Sequence, residues 1–368
     1  MISTTLFPGR YVQGTDSIER LGLELSRFGQ KVFAICTPSV LNKMLPILEN
    51  DIKKFISVNV EKFNKECSDE EIDRLSFIAK KNKSEVIVGI GGGKTIDTAK
   101  AVAYKLTLPV AIVPTIASSD APCSALSVIY TQTGEFKRYL ILPKNPDLVL
   151  VDTKIIVQAP VRFLVSGMGD ALATWFEAES CKIKYAGNMT GDIGSITAIA
   201  LAKLCYKTLI EYGYSAKLAC EAHVITPALE HIVEANTLLS GLGFESGGLA
   251  TAHAIHNGLT VLEQTHKYFH GEKVAIGTLA SLFLTDKPMD VINKAFSFCE
   301  TVGLPTTLED IGLSDISDSA LMKVAELTCA EGETIYNESI PVTPEMVFSA
   351  LKTTDSFGKS RKIENKKK

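Results

Sequence analysis

Short apolar runs alternate with helix-like segments over the first 160 residues of the chain. Runs rich in valine, isoleucine and leucine lie at residues 31–36, 56–60, 85–90, 109–115 and 147–152. Between them, residues 69–82 and 95–106 carry apolar side chains at helical spacing. Strands that are apolar on both faces and alternate with helices are typical of a parallel sheet covered by helices. We therefore predict an α/β domain with a mostly parallel sheet over residues 1–160.

The pattern changes after residue 160. Residues 167–182, 189–213 and 228–246 are rich in alanine and leucine at helical period, and no convincing series of strands follows. We predict an all-α domain over residues 161–368. The cleft between two such domains is the expected location of an active site.

A glycine cluster, in the stretch VIVGIGGGKTIDTAK at 86–100, ends one predicted strand. It does not match the nucleoside-triphosphate loop, because Val88 stands where that pattern needs its first glycine. It does not match the dinucleotide pattern G-x-G-x-x-G either, because Lys94 stands in the third glycine position. Glycine backbone can nevertheless approach a phosphate closely at the start of a helix. The cluster predicts a dinucleotide or phosphate site, with a plain strand-to-helix turn as the alternative.

A second loop, TIASSDAPCS at 115–124, follows another predicted strand. Because the carboxyl ends of parallel strands share one edge of a sheet, we expect this loop and the glycine cluster to meet at one crevice. Asp120 in this loop is either a ligand-binding carboxylate or an ordinary turn residue.

Histidines occur only in the predicted helical half, and four of the six fall in the stretch HAIHNGLTVLEQTHKYFH. His253 and His256 are three residues apart and so share one face of a helix. Two imidazoles and a carboxylate can bind a metal and leave a coordination position open for a substrate. Asp170 is the candidate carboxylate, although it could equally be the N-cap of the helix that it opens.

Composition narrows the classes of protein that the chain can represent. The net charge of the 368 residues is −4, which argues against a nucleic acid or an anionic membrane as partner. The basic run at 359–368 is expected to be a solvated tail. The start of the chain does not have the pattern of a signal peptide, and the eight cysteines are scattered. We therefore expect a cytoplasmic protein with free thiols and no membrane association.

Several stretches together identify a family resemblance. The most specific are GIGGGKTIDTAKA, PTIASSDAPCSALSVIYT, GMGDALATWFEA, VEANTLLSGLGFESGGLATAHAIHNGLT and YFHGEKVAIGTL. With them the chain resembles, over nearly its full length, the glycerol dehydrogenases of the metal-dependent polyol dehydrogenase family. The resemblance implies a Rossmann-like N-terminal domain, a helical C-terminal domain, a catalytic zinc in the cleft and a homo-oligomer.

The resemblance also implies roles for individual residues. Asp170, His253 and His270 match the metal ligands, His256 matches a further active-site histidine, and Asp120 matches the residue that binds a substrate hydroxyl. The positions that match the dinucleotide site are Thr37, Gly92, Gly93, Lys94, Thr95, Thr115, Ser118, Ser124, Leu126 and Tyr130.

One of these positions departs from the family. Many relatives carry an aspartate where Thr37 stands, and that carboxylate binds the ribose hydroxyls of the adenosine. Its absence removes a charge that would repel the 2′-phosphate of NADP. NAD remains the expected cofactor.

The implied reaction is the NAD-dependent oxidation of the secondary hydroxyl of glycerol to dihydroxyacetone, by hydride transfer from a metal-bound alkoxide. Other vicinal diols, such as 1,2-propanediol and 2,3-butanediol, are expected to react as well, and Fe²⁺ suits the ligands as well as Zn²⁺ does. A dehydroquinate synthase, a glycerol-1-phosphate dehydrogenase, a phosphotransferase and a non-enzymatic dinucleotide sensor are the weaker alternatives.

Overall fold

The structure, a computed structural model, describes residues 1–43, 52 and 54–365. The strands are β1 Tyr11–Gly14, β2 Lys31–Cys36, β3 Ser57–Lys62, β4 Val86–Gly91, β5 Val110–Pro114, β6 Leu126–Tyr130, β7 Phe136–Ile141 and β8 Leu148–Asp152. The helices of the first part are α1 Leu21–Leu25, α2 Pro38–Lys43, α3 Asp69–Lys81, α4 Gly93–Leu106 and α5 Thr153–Ile156. Those that follow are α6 Val161–Lys184, α7 Ile196–Glu221, α8 Pro227–Glu234, α9 Ser240–Gly247, α10 Thr251–Leu259, α11 His270–Leu284, α12 Met289–Val302, α13 Asp318–Thr328 and α14 Pro344–Asn365.

Six strands form one parallel sheet in the order β1-β8-β5-β4-β2-β3. The predicted parallel sheet is confirmed, and each of the apolar runs named from the sequence supplies a strand of it. Most of their valine, isoleucine and leucine side chains are buried because helices cover both faces of a sheet of this kind, whereas Val58 and Val60 of the edge strand β3 are only partly buried. The structure adds β1 at the edge and an antiparallel hairpin of β6 and β7, which the sequence did not predict.

The chain is helical after β8, as predicted, and no strand follows β8 within the described residues. Asp170 is the tenth residue of α6, so the interpretation of this aspartate as an N-cap is wrong. None of the helices in the described part of the chain is both long and apolar enough to cross a membrane.

The described part of the basic run, residues 359–365, is helical rather than a solvated tail. Helix α14 continues to Asn365, and residues 366–368 lie outside the described part. The Arg361 Nε atom lies 2.8 Å from a carboxylate oxygen of Glu300. The Lys362 ammonium lies 2.7 Å from a carboxylate oxygen of Asp310. Acidic partners on other helices therefore hold these cations, which a count of local charge could not reveal.

The described residues group into two compact units. One contains residues 6–163 and 219–241, and the other contains residues 1–5, 164–218 and 242–368. The core of the first unit packs around the sheet. The second unit has a core built by α10, α11, α13 and α14. The division into domains at residues 160 and 161 stays a prediction.

Candidate metal centre and dinucleotide loops

Three predicted metal ligands from three helices meet in the helical unit. Asp170 lies in the middle of α6, His253 near the start of α10, and His270 is the first residue of α11. One ligand atom from each lies within 4.8 Å of the other two. The Asp170 Oδ1 atom is 3.5 Å from His253 Nε2 and 3.1 Å from His270 Nε2. The aspartate side chain is fully buried, whereas that of His270 is 40% exposed, which leaves the group accessible from one side.

Glycines allow these helices to approach closely enough. A Cβ atom at Gly271 would lie 1.8 Å from the carbonyl oxygen of Ser166, and one at Gly169 would lie 2.3 Å from the carbonyl oxygen of Gly271. Any side chain at either position would push α6 and α11 apart. The glycine beside His270 and the glycine beside Asp170 therefore bring the two ligands together.

The buried carboxylate of Glu177 contacts the ring nitrogen of His253 that does not face Asp170. Its Oε2 atom lies 2.7 Å from His253 Nδ1, and its Oε1 atom accepts hydrogen bonds from the backbone N–H groups of Ala250 and His253 at 2.9 and 3.0 Å. Ala250 is the N-cap of α10 and has no side-chain oxygen to offer. Glu177 therefore caps the helix and fixes the ring of its histidine at the same time.

The contacts of the Nδ1 atoms indicate which nitrogen of each histidine ring carries the proton. When His253 donates from Nδ1 to the carboxylate of Glu177, its Nε2 atom, which faces Asp170, is the one available to a metal ion. His270 Nδ1 lies 3.0 Å from His256 Nε2, and His256 Nδ1 lies 3.2 Å from the amide oxygen of Asn257. In this arrangement each histidine donates from Nδ1, so His270 likewise has its Nε2 atom, which faces Asp170, available to a metal ion.

The electrostatics of the group favour a cation. Burial opposes a charged imidazole at His253, but the carboxylates of Glu177 and Asp170 outweigh it and raise the pKa of that ring. Burial likewise opposes the carboxylate of Asp170, but His270 and His253 outweigh it and lower the pKa of this group. Burial, followed by the charge of His270, lowers the pKa of His256 and keeps that ring neutral. One carboxylate oxygen and two imidazole nitrogens around one point match the preferences of Zn²⁺ and Fe²⁺.

The loops predicted to bind the dinucleotide lie together in the unit that contains the sheet. The chain runs outward from β2 to β3 in one direction and through β4, β5 and β8 in the other, so its direction reverses between β2 and β4. Ligands of such sheets bind where the direction reverses. Thr37 follows β2, and its methyl group would lie 2.6 Å from a Cβ atom at Gly91, at the end of β4. Thr115 after β5 donates its N–H to the carbonyl oxygen of Gly91 at 3.0 Å.

Helix α4 begins directly at the glycine cluster. Gly92 is its N-cap and offers no side-chain cap, and outside its chain neighbours and the backbone of its own helix no described atom lies within 4 Å of a Cβ atom built at Gly93. The backbone at this helix start is therefore open to a ligand. The Lys94 ammonium lies 2.5 Å from a carboxylate oxygen of Glu66 and 4.7 Å from the ring centre of Tyr130. Thr95 is buried in the first turn of the helix.

The segment from Thr115 to β6 carries the remaining predicted residues. Ser118 and Asp120 are half-buried, whereas Ser124 is buried and donates to the carbonyl oxygen of Ala121 at 3.3 Å. Asp120 accepts a hydrogen bond from the hydroxyl of Ser240 at 3.0 Å. Leu126 begins strand β6, which ends at Tyr130.

A buried lysine holds this segment against α4. Lys100 is 1% exposed, and its ammonium donates to the carbonyl oxygens of Ala121 and Ser124 at 3.0 and 3.3 Å and also to that of Leu126. It forms an ion pair of 3.0 Å with Asp97, one helical turn away.

Comparison with known proteins places these features in a family. Residues 8–153 match the family of iron-containing alcohol dehydrogenases. The chain is 67% identical to a glycerol dehydrogenase of Thermotoga maritima over 364 residues, which cover 98% of this chain and 99% of that protein. It is 52% identical to a glycerol dehydrogenase of Citrobacter freundii over 359 residues, 97% of this chain and 98% of that protein. The chain belongs to the iron-containing alcohol dehydrogenase family.

A solved structure of the same kind agrees with this result. The crystal structure of glycerol dehydrogenase from Schizosaccharomyces pombe superposes with a TM-score of 0.93 at 40% identity, covering 99% of this chain and 93% of that one. As an iron-containing alcohol dehydrogenase, the protein is an oxidoreductase.

Sequence reasoning did not identify all the residues that build the site of this iron-containing alcohol dehydrogenase. Glu177 was missed, although it stands seven residues after Asp170 and such a spacing puts both carboxylates on one face of a helix. Lys100 and Ser240 were missed as well. Their partners in the 115–126 segment lie on other elements, so no local pattern points to them.

Proposed function

We propose that this enzyme oxidises the secondary hydroxyl of glycerol to the ketone of dihydroxyacetone with NAD as acceptor, and that it accepts other vicinal diols. The proposal depends mainly on the group of Asp170, His253 and His270, which belongs to the helical unit. One ligand atom of each residue lies within 4.8 Å of the other two. Near-full-length identity of 67% to a relative named glycerol dehydrogenase supports glycerol as the substrate.

Asp170, His253 and His270 are the proposed ligands of a divalent cation, which we take to be Zn²⁺, with Fe²⁺ as the alternative. When bound, such a cation acts as a Lewis acid and makes the hydroxyl of an alcohol more acidic. Glu177 holds the His253 ring with its Nε2 atom toward the ligand group, and His256 does the same for His270. Both histidine rings are thereby oriented before an ion binds.

The dinucleotide is proposed to bind at the reversal point of the sheet, with its pyrophosphate at the start of α4. The N–H groups of Gly92, Gly93, Lys94 and Thr95 are proposed to receive the phosphates, because the first turn of a helix favours anions. The other proposed contacts come from Thr37, Thr115, Ser118, Ser124, Leu126 and Tyr130. A neutral Thr37 neither binds ribose hydroxyls as a carboxylate would nor repels a 2′-phosphate, so NADP is expected as a weaker second acceptor.

Asp120 and His256 are the proposed catalytic side chains outside the metal ligands. The carboxylate of Asp120 accepts a hydrogen bond from a substrate hydroxyl and so favours polyols over simple alcohols. Burial, followed by the charge of His270, lowers the pKa of His256, so this ring would pass a proton on rather than keep it. His256 or a chain of water molecules is the proposed exit for the hydroxyl proton.

Two further properties belong to the proposal. The cytoplasm is the proposed location, supported by eight free cysteines, seven of them buried. The homo-oligomer implied by the resemblance stays a prediction.

The proposal is tested by absorbance at 340 nm with glycerol and NAD, before and after treatment with EDTA and after zinc is restored. We expect activity that the chelator removes and zinc restores. His270→Ala is expected to abolish turnover and leave NAD binding intact. The matched control is His266→Ala, since His266 is exposed and its Nε2 atom lies beside the carbonyl oxygen of Thr260. No reduction of NAD or NADP with several polyols and added metal would refute the proposal and favour a lyase of the dehydroquinate synthase type.

A further inference from the structure

A single π-helical turn joins helices α8 and α9 within residues 227–247. Residues Ala235–Leu239 form this turn between α8 and α9, and the N–H of Ser240 donates to the carbonyl oxygen of Ala235, five residues back. Such turns are rare and occur frequently at functional sites. The extra residue rotates the side chains that follow by about 100° relative to a continuous α-helix, which has 3.6 residues per turn.

The π-helical turn faces the loop that carries Asp120. Asn236 donates its amide to the carbonyl oxygen of Ala117 at 3.0 Å. Ser240, which is fully buried, donates its hydroxyl to Asp120 Oδ2 at 3.0 Å. All four residues belong to the unit that contains the sheet. The π-helical segment therefore contacts the loop at two places, the backbone carbonyl of Ala117 and the carboxylate of Asp120.

A glycine allows this close approach. A Cβ atom at Gly241 would lie 3.1 Å from the carbonyl oxygen of Asp120 and 3.0 Å from the Cβ atom of Cys123. Both distances are shorter than most Cβ contacts in proteins, so the backbone after the π-helical turn lies directly against the loop. Ser240 is the residue before this contact, and its hydroxyl therefore meets the carboxylate at a fixed place.

We propose that Ser240 is a positioning residue that sets the orientation of the Asp120 carboxylate and thereby the affinity for polyol substrates. This inference rests on the proposed function, in which Asp120 binds a substrate hydroxyl. A hydrogen bond to one carboxylate oxygen restricts rotation of the group, so the substrate meets an acceptor that is already oriented. The extra residue of the π-helical turn places Ser240 on the side of the helix that faces Asp120, and the hydrogen bond requires this orientation.

The test is a double-mutant cycle on glycerol oxidation with Ser240→Ala and Asp120→Asn. Loss of one hydrogen bond to a charged group is expected to lower kcat/KM for glycerol about tenfold in Ser240→Ala, mainly through KM. The KM for NAD and the midpoint of urea unfolding are expected to stay close to those of the wild type. In the Asp120→Asn background the same serine substitution is expected to change kcat/KM less than about twofold, because the two residues act as one unit.

Ser281→Ala is the matched control. Ser281 is also a buried helical serine, but its hydroxyl donates to the carbonyl oxygen of Thr278 within α11. This substitution is expected to leave both KM values unchanged.

Two results would overturn the positioning role. The first is an unchanged KM for glycerol in Ser240→Ala. The second is a rise in both KM values together with a lower unfolding midpoint and effects that add to those of Asp120→Asn, because a merely structural serine would behave in this way. If the wild-type enzyme does not oxidise glycerol, the proposed function fails, and this inference fails with it.

Discussion

Replacing the buried carboxylate behind His253 tests how much the protein contributes to metal binding. In Glu177→Gln the amide oxygen can still accept the two backbone N–H groups at the start of α10. The amide nitrogen would then face His253 Nδ1, 2.7 Å from the replaced oxygen, so that two donors oppose each other. Outer carboxylates of this kind contribute about 10- to 100-fold to metal affinity. We expect the upper part of this range, about 2 to 2.7 kcal/mol, because the substitution replaces an attraction with a repulsion.

The measurement is the zinc dissociation constant of the metal-free protein, determined by competition with a chelating indicator, which does not depend on turnover. The midpoint of urea unfolding shows whether the cap of α10 survives. Glu179→Gln is the matched control, since this glutamate lies in the same helix and pairs with Lys287 at 2.6 Å. Zinc affinity within about twofold of the wild type in Glu177→Gln would refute the role assigned to this carboxylate.

Two further predictions concern the framework of the site. Lys100→Met is expected to cost about 3–5 kcal/mol in the free energy of urea unfolding, because it leaves the carboxylate of Asp97 buried without its ion-pair partner. Adding Asp97→Asn should recover part of this loss, and a single variant as stable as the wild type would contradict the prediction. Burial raises the pKa of Asp310, but Lys362 and the N–H of Thr306 outweigh it, and the pKa in the folded protein is lowered. This carboxylate therefore stabilises the fold above its unfolded pKa of about 3.9, and the contribution is lost as the pH falls through the folded value. Asp310→Asn should lower stability at pH 7 and converge with the wild type in acid, whereas a constant difference across an acid titration would refute the linkage.

Local sequence patterns were sufficient to predict the strands that are buried along their whole length. Strands β2, β4, β5 and β8 are buried almost throughout, so they carry continuous apolar runs that can be recognised without knowledge of the fold. Strand β7, with the sequence FKRYLI, is largely exposed and has no such run, and β1 has only four residues. Neither strand was predicted, because each is defined by hydrogen bonds to a neighbouring strand and not by a run of buried side chains.

Part of the candidate site was also accessible from the sequence. The spacing of His253 and His256 predicts one helix face, and Asp170 was named as the candidate carboxylate. Its place in the middle of α6 was not predicted, because the helical pattern was recognised only from residue 167, whereas the helix begins at Val161. The roles of His270 and of the dinucleotide positions came from a family resemblance rather than from any local rule.

The amino-acid sequence by itself determined the class of the fold, the glycine-rich start of α4 and the residue types from which a metal site can be built. The tertiary structure alone decided which side chains meet. Glu177 reaches His253 across two helices, and Ser240 meets Asp120 across a sequence separation of 120 residues. Periodicity is a property of one element, whereas these contacts depend on how closely two elements approach. Glycines such as Gly271 and Gly241 set that approach, and their effect becomes visible only when the opposing backbone is in place.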